Sequence, residues 1–184
     1  MLLLNRADSL LVLIDVQEKL TPAILNLDFF LARCEWLLKL AKKLDVPILA
    51  SEQYPKGLGS TVSSLSSYIN QEECIEKVHF SCMQEPKYIN LLKEYNKNQL
   101  ILIGIEAHVC VLQTALEMKD YGFDVFVVVD GVSSRSEFDL KYGLKRMKQN
   151  GIHLITAEMV LFEWLRQAGT PEFKEISKEF LQSV

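Results

Sequence analysis

Three side chains in this sequence of 184 residues, Asp15, Lys77 and Cys110, would carry out acyl transfer if the fold brought them into contact. An unperturbed thiol has a pKa of about 8.5, so only a small fraction is thiolate at neutral pH. A carboxylate within hydrogen-bond reach takes the thiol proton as a general base. An ammonium stabilises the thiolate and the charge that develops later, and a helix N-terminus adds ~0.3–1 kcal/mol. Backbone N–H groups at the same turn supply an oxyanion hole for a tetrahedral intermediate. Thiol, base and cation then suffice to move an acyl group to sulfur and on to water, with no histidine. Singly, each residue also has a plainer role. A free cysteine often packs as a small hydrophobe, an aspartate closing a strand is often a turn former, and a lysine on a short strand usually marks an exposed edge.

The elements that must position these residues alternate along the chain. "SLLVLID" is a continuous apolar run ending in Asp15, as a strand covered on both faces requires. "VPILAS", "CIEKVHF" (with Lys77), "QLILIGI", "DVFVVVD" and "HLIT" read as five further strands. "GIEAHVCVLQTA" leaves the fourth strand and places Cys110 where a helix begins, with Gly122 as its stop. The first long helix opens at Asp28 as N-cap, and its Phe29, Cys34, Leu37, Leu38 and Ala41 recur at helical spacing. Asp130, before Gly131, closes the fifth strand as a turn former.

Strand–helix alternation over residues 1–184 implies a single α/β domain with right-handed crossovers. The expected architecture is a three-layer α/β/α sandwich around a six-stranded, mainly parallel, Rossmann-like sheet. In such sheets ligands bind outside the carboxyl ends of the strands, where Asp15 and the Cys110 turn fall.

Composition narrows the function. A formal charge of −4 gives no nucleic-acid footprint, and "KYGLKRMK" reads as a solvated helix face. The N-terminal "MLLLNRADSLLVLID" is broken by Asn5, Arg6 and Asp8, so neither a targeting segment nor a membrane span is expected, and the protein is read as cytoplasmic. The three histidines lack metal-ligand spacing, so no metal is expected. Four cysteines permit disulfides, but a chain this long and 49% hydrophobic does not need them. Cys74 and Cys82 flank the Lys77 strand, where a regulatory disulfide is conceivable.

"LLVLIDVQEKL", "IEKVHFSCM" and "LIGIEAHVCVLQTALEMKDYGFDVFVVVDGVSS" together resemble the isochorismatase-like cysteine hydrolases, the superfamily of nicotinamidase and N-carbamoylsarcosine amidase. The resemblance covers nearly the whole chain. It implies Asp15 as base, Lys77 as cation and Cys110 as nucleophile. It also implies a cis peptide between Ile105 and Glu106, with the amides of Glu106 and Cys110 as oxyanion donors. Gln17, Glu52, Tyr54 and His108 would line the substrate pocket; His108 alone reads as a surface or helix-start residue. Nicotinamidases place metal-binding aspartate and histidines after the second strand, where this chain reads "ASEQYPKGLGST" without a histidine. Isochorismatases of siderophore pathways lack the cysteine. The loop instead resembles the isochorismatase-domain-containing subgroup.

The expected function is therefore hydrolysis of a small amide or carbamoyl C–N bond through a covalent thioester, without a cofactor, in a homo-oligomer acting on a small-molecule substrate. A non-catalytic scaffold that binds or oligomerises is the alternative, as is a thiol that responds to oxidants through a sulfenic acid on Cys110.

Overall fold

The structure, a computed structural model, describes residues 3–181. Strands β1 (Ser9–Ile14), β2 (Ile48–Gln53), β3 (Cys74–Lys77), β4 (Gln99–Gly104), β5 (Asp124–Val132) and β6 (His153–Ile155) form one sheet in the order β3-β2-β1-β4-β5-β6. Every pairing is parallel, so the sheet is wholly rather than mainly parallel.

All six residues of β1 are buried because side chains of successive residues leave a strand on opposite faces. Leu11 and Leu13 pack with α1 (Leu27–Lys43), α7 (Ala157–Leu165) and α8 (Pro171–Phe180). Leu10, Val12 and Ile14 pack on the other side, with α4 (Pro86–Tyr95), α5 (Leu112–Asp120) and α6 (Glu137–Gln149). Two short helices, α2 (Pro55–Leu58) and α3 (Ser63–Ser66), lie in the long β2–β3 connection.

Two local expectations shift. Helix α1 begins at Leu27 after Asn26 in the left-handed region, which puts Asp28 in the first turn. Phe30 then joins the core stripe with Cys34, Leu37, Leu38 and Ala41, while Phe29 is turned outward. Strand β5 continues past Asp130 to Val132, and the Asp130 carboxylate caps Ala157 N–H at α7 (2.9 Å) and pairs with Arg33 (3.1 Å).

The strand order reverses between β1 and β4, which opens a crevice at their carboxyl ends. Gly104 closes β4 with φ 124°, and a Cβ there would lie 2.1 Å from the Ile14 carbonyl oxygen. Only glycine lets the two backbones approach this closely, so that Ile105 N–H donates to Ile14 O at 2.9 Å. Asp15 and Ile105 thus leave adjacent strands on either side of the crevice.

Candidate active site

Asp15 leaves β1 with φ 52°, a left-handed conformation rare outside glycine, and its N–H donates to Ser51 O at 3.1 Å. One carboxylate oxygen accepts from Ser51 Oγ at 2.7 Å, and the other pairs with Lys77 Nζ at 2.7 Å. Neither side chain reaches solvent. Lys77 sits on the edge strand, yet its side chain turns inward rather than outward. Its ammonium also donates to Gln53 Oε1 (2.6 Å) and to the carbonyls of His79 (3.2 Å) and Phe80 (3.0 Å). A buried charge persists only where partners of this kind replace water. Burial is the largest influence and disfavours the ammonium, but the Asp15 carboxylate together with Cys82 and Cys110 outweighs it and holds the Lys77 pKa above the ordinary lysine value.

Cys110 lies in a π-helical turn (Ala107–Val111) leading into α5, and is nearly buried. The Asp15 carboxylate and the Lys77 ammonium both act on it as charges. Burial first, and the Asp15 charge second, push the Cys110 thiol well up; Lys77 pulls it down without cancelling them. The resting sulfur is therefore favoured as a thiol, buried beside the negative charge of Asp15. A helix start favours a thiolate, and burial together with the Asp15 charge works against it at this position.

Cys82 is a neighbour the sequence reading gave no catalytic role. Its N–H donates to Thr114 Oγ1 (3.0 Å), and burial, then the Asp15 charge, pushes its thiol up to about 11. Tyr88 is fully buried beside it. All four cysteines are free. Cys34 lies across the sheet, where its thiol donates to Gly131 O at 3.6 Å.

The residues expected to line the pocket divide. Gln17 is fully buried and its amide is spent on backbone: it donates to Gln53 O (3.0 Å) and Gly59 O (2.6 Å) and accepts from Gln53 N–H (2.7 Å). Glu52 accepts from Thr61 N–H (2.6 Å) and Oγ1 (2.8 Å), on the opposite face of β2 from Ser51. It lines a cavity of about 770 Å³ along the β3 edge, with Thr61 and Cys74. Both are clips for the β2–β3 connection rather than groups aimed at Cys110. Tyr54 is exposed and borders a cavity of about 270 Å³ that reaches Lys77, together with Pro55, Val78 and Glu85. His108 bonds Ser134 Oγ through Nδ1 at 3.0 Å and packs against Gly143 of α6.

The peptide bond Ile105–Glu106 is cis. The Glu106 carboxylate is almost buried and is gripped by Arg135, a residue without a role in the sequence reading. Burial works against the Glu106 charge, but the hydrogen bonds and charge of Arg135 overcome it and hold the carboxyl below its usual range. Among the described residues no group of three His, Cys, Asp or Glu side chains is placed to hold a metal.

The doubly wound α/β sheet carries a buried Asp–Lys pair and a cysteine at its switch point. Residues 9–159 match the isochorismatase domain family. A mouse relative, isochorismatase domain-containing protein 2A, is 41% identical over 178 residues, covering 96% of this chain and 84% of its own. A Caenorhabditis elegans structure described as MAR1 ribonuclease superposes with a TM-score of 0.90 at 38% identity, over 99% of this chain and 94% of its own. YcaC from Escherichia coli, described as an octameric hydrolase of unknown specificity, shares the fold with a TM-score of 0.88 at 24% identity, over 100% of this chain and 98% of its own. The chain belongs to the isochorismatase family, whose members are hydrolases. Among the described residues no helix is long and apolar enough to cross a membrane.

Proposed function

We propose that residues 1–184 act as one cysteine-hydrolase domain that cleaves a small amide or carbamoyl C–N bond through a thioester on Cys110. The observation that carries this reading is the solvent-free Asp15–Lys77 pair, with the nearly buried Cys110 thiol within reach of both of its charges. A protonated thiol beside a base is poised to lose its proton as it attacks, not before. As the S–C bond forms at the substrate carbonyl, Asp15 takes the proton and the thiolate character is shielded by Lys77. The carbonyl oxygen accepts from the N–H groups of Glu106 and Cys110; Glu106 N–H has no acceptor among the described residues. Collapse breaks the C–N bond, and the amine leaves with the proton from Asp15. Water then attacks the thioester, Asp15 takes its proton, and the S–C bond breaks to return the thiol and release the acid.

The burial of Cys110 disfavours the oxidant-sensing reading, since sulfenic acid forms most readily on exposed thiolates. Four free thiols suit a reducing compartment such as the cytoplasm. The octameric E. coli neighbour, with exposed Phe29, Phe138, Tyr142 and Phe162 on this chain, supports a homo-oligomer.

The test is intact-mass spectrometry during incubation with a panel of small amides and carbamoyl compounds. The expected result is an acyl adduct mapped to Cys110, with release of amine, both lost in Cys110→Ala. A single-stranded RNA belongs in the panel because of how the C. elegans protein is described. RNA cleavage in place of amide turnover would overturn the C–N assignment; a folded protein that turns over nothing would leave the scaffold.

A further inference from the structure

We infer that Arg135 is a positioning residue: through Glu106 it fixes the amide N–H that receives the oxyanion. This rests on the acyl-transfer reading above. The geometry behind it is a clamp between two stretches of chain. On one side is the turn after β4, residues 104–108, which leads into the Cys110 helix. On the other is the exit of β5, residues 133–135. Ala107 N–H donates to Ser133 O at 2.8 Å, and Ser133 N–H to Gly104 O at 3.4 Å. His108 Nδ1 meets Ser134 Oγ at 3.0 Å.

Glu106 completes the clamp. Its Oε2 accepts from Arg135 N–H at 3.0 Å and from Arg135 Nε at 2.9 Å, while its Oε1 accepts from Nη2 at 2.6 Å. The carboxylate is 8% exposed and the guanidinium side chain 60%, so the arginine reaches in from the rim to grip a group that is otherwise buried. A planar fork on a carboxylate fixes orientation as well as position, which a lysine point charge does not. The side chain of Glu106 is thus held by three donors, and its own N–H is left for a ligand. An oxyanion donor acts only when it is already in place, since reorganising it during the reaction forfeits its benefit. Losing a donor outright costs about 10²–10³ in kcat; losing the pin that aims it is expected to cost roughly 10- to 100-fold.

Two reactions of the same sulfur separate this role from a general structural one. Iodoacetamide alkylates Cys110 by displacement and builds no oxyanion; 4-nitrophenyl acetate acylates it through a tetrahedral one. Both rates are measured on the full chain, with Cys34 protection as the check on folding. In Arg135→Ala the acylation rate is expected to fall about 10- to 100-fold, with alkylation within about twofold of wild type. Arg135→Lys, which keeps charge without the fork, is expected to lie between, and serves alone if the alanine variant does not fold. Equal acylation in wild type and Arg135→Ala, or a parallel fall of both reactions, overturns the inference while leaving acyl transfer intact. A wild-type protein that alkylates but never acylates overturns the acyl-transfer reading, and this inference with it.

Discussion

Two carboxylate–cation pairs converge on the strand ends around Cys110, and they differ in how far each has been removed from water. Asp15 and Lys77 are both fully buried and share one contact at 2.7 Å. Glu106 is almost buried, but its partner Arg135 keeps most of its side chain in solvent. In the first pair neither charge has water to fall back on, so the pair survives through Ser51, Gln53 and two backbone carbonyls. It faces the sulfur and exchanges protons with it under the proposed mechanism. In the second pair the arginine remains hydrated, and the carboxylate is attached to a backbone turn that must hold still. In the proposed mechanism the dry pair does the chemistry, and the rim charge holds a shape.

The sharpest way to break this comparison is Asp15→Asn. Amide turnover is expected to fall about 10²- to 10⁴-fold, as for loss of a general base. Alkylation of Cys110 at neutral pH is expected to rise, because the negative charge that lifts the thiol is gone while Lys77 remains. Paired turnover and iodoacetamide assays read the two effects, and a fall in both would mean that Asp15 does not act on the thiol as a charge.

Stability should also separate the pairs. Lys77→Met strands a buried carboxylate and is expected to cost about 3–5 kcal/mol by urea unfolding. Arg135→Ala is expected to cost about 1 kcal/mol, since a half-solvated pair contributes little. Equal losses would show that burial does not distinguish them.

A smaller effect is set by pH. Burial raises the folded pKa of Cys34, Cys74, Cys82 and Cys110, with Cys82 at about 11 and Cys74 at about 12. Above an ordinary thiol pKa of about 8.5 the unfolded chain releases protons that the native state retains, so unfolding is favoured as pH rises. Stability is expected to be level through neutral pH and to decline above about pH 9, by up to ~1.4 kcal/mol per pH unit for each fully buried thiol. Thermal unfolding from pH 7 to 11 measures this, and Cys82→Ala should flatten the slope. At the small end, Lys43 and Glu175 form an exposed surface pair, and Lys43→Ala should leave the unfolding midpoint nearly unchanged.

Much of the scaffold was legible because its causes are local. The unbroken apolar run before Asp15 signals a strand with two covered faces. Helical spacing put Cys34 on a packing stripe, and it lies in the core across the sheet from Cys110. Alternation along β2 was a signal left unused: Ser51 and Gln53 reach Asp15 and Lys77, so Glu52 between them must face away. Asn26 displaced Asp28 as the residue before α1 because the entering chain turns through the left-handed region there, which sequence pattern did not reveal.

By itself the sequence determined which segments become strands and helices, and that Asp15, Lys77 and Cys110 fall near strand ends. Periodicity, glycine placement and continuous hydrophobicity act over a few residues, so they can be read along one chain. The tertiary structure alone decided that an edge-strand lysine turns inward, that Gln17 spends its amide on a loop, that Cys82 joins the site, and that Arg135 grips Glu106. Each depends on groups distant in sequence meeting where water is excluded. Desolvation there raises the cost of every unpaired charge, and so fixes which partners are kept.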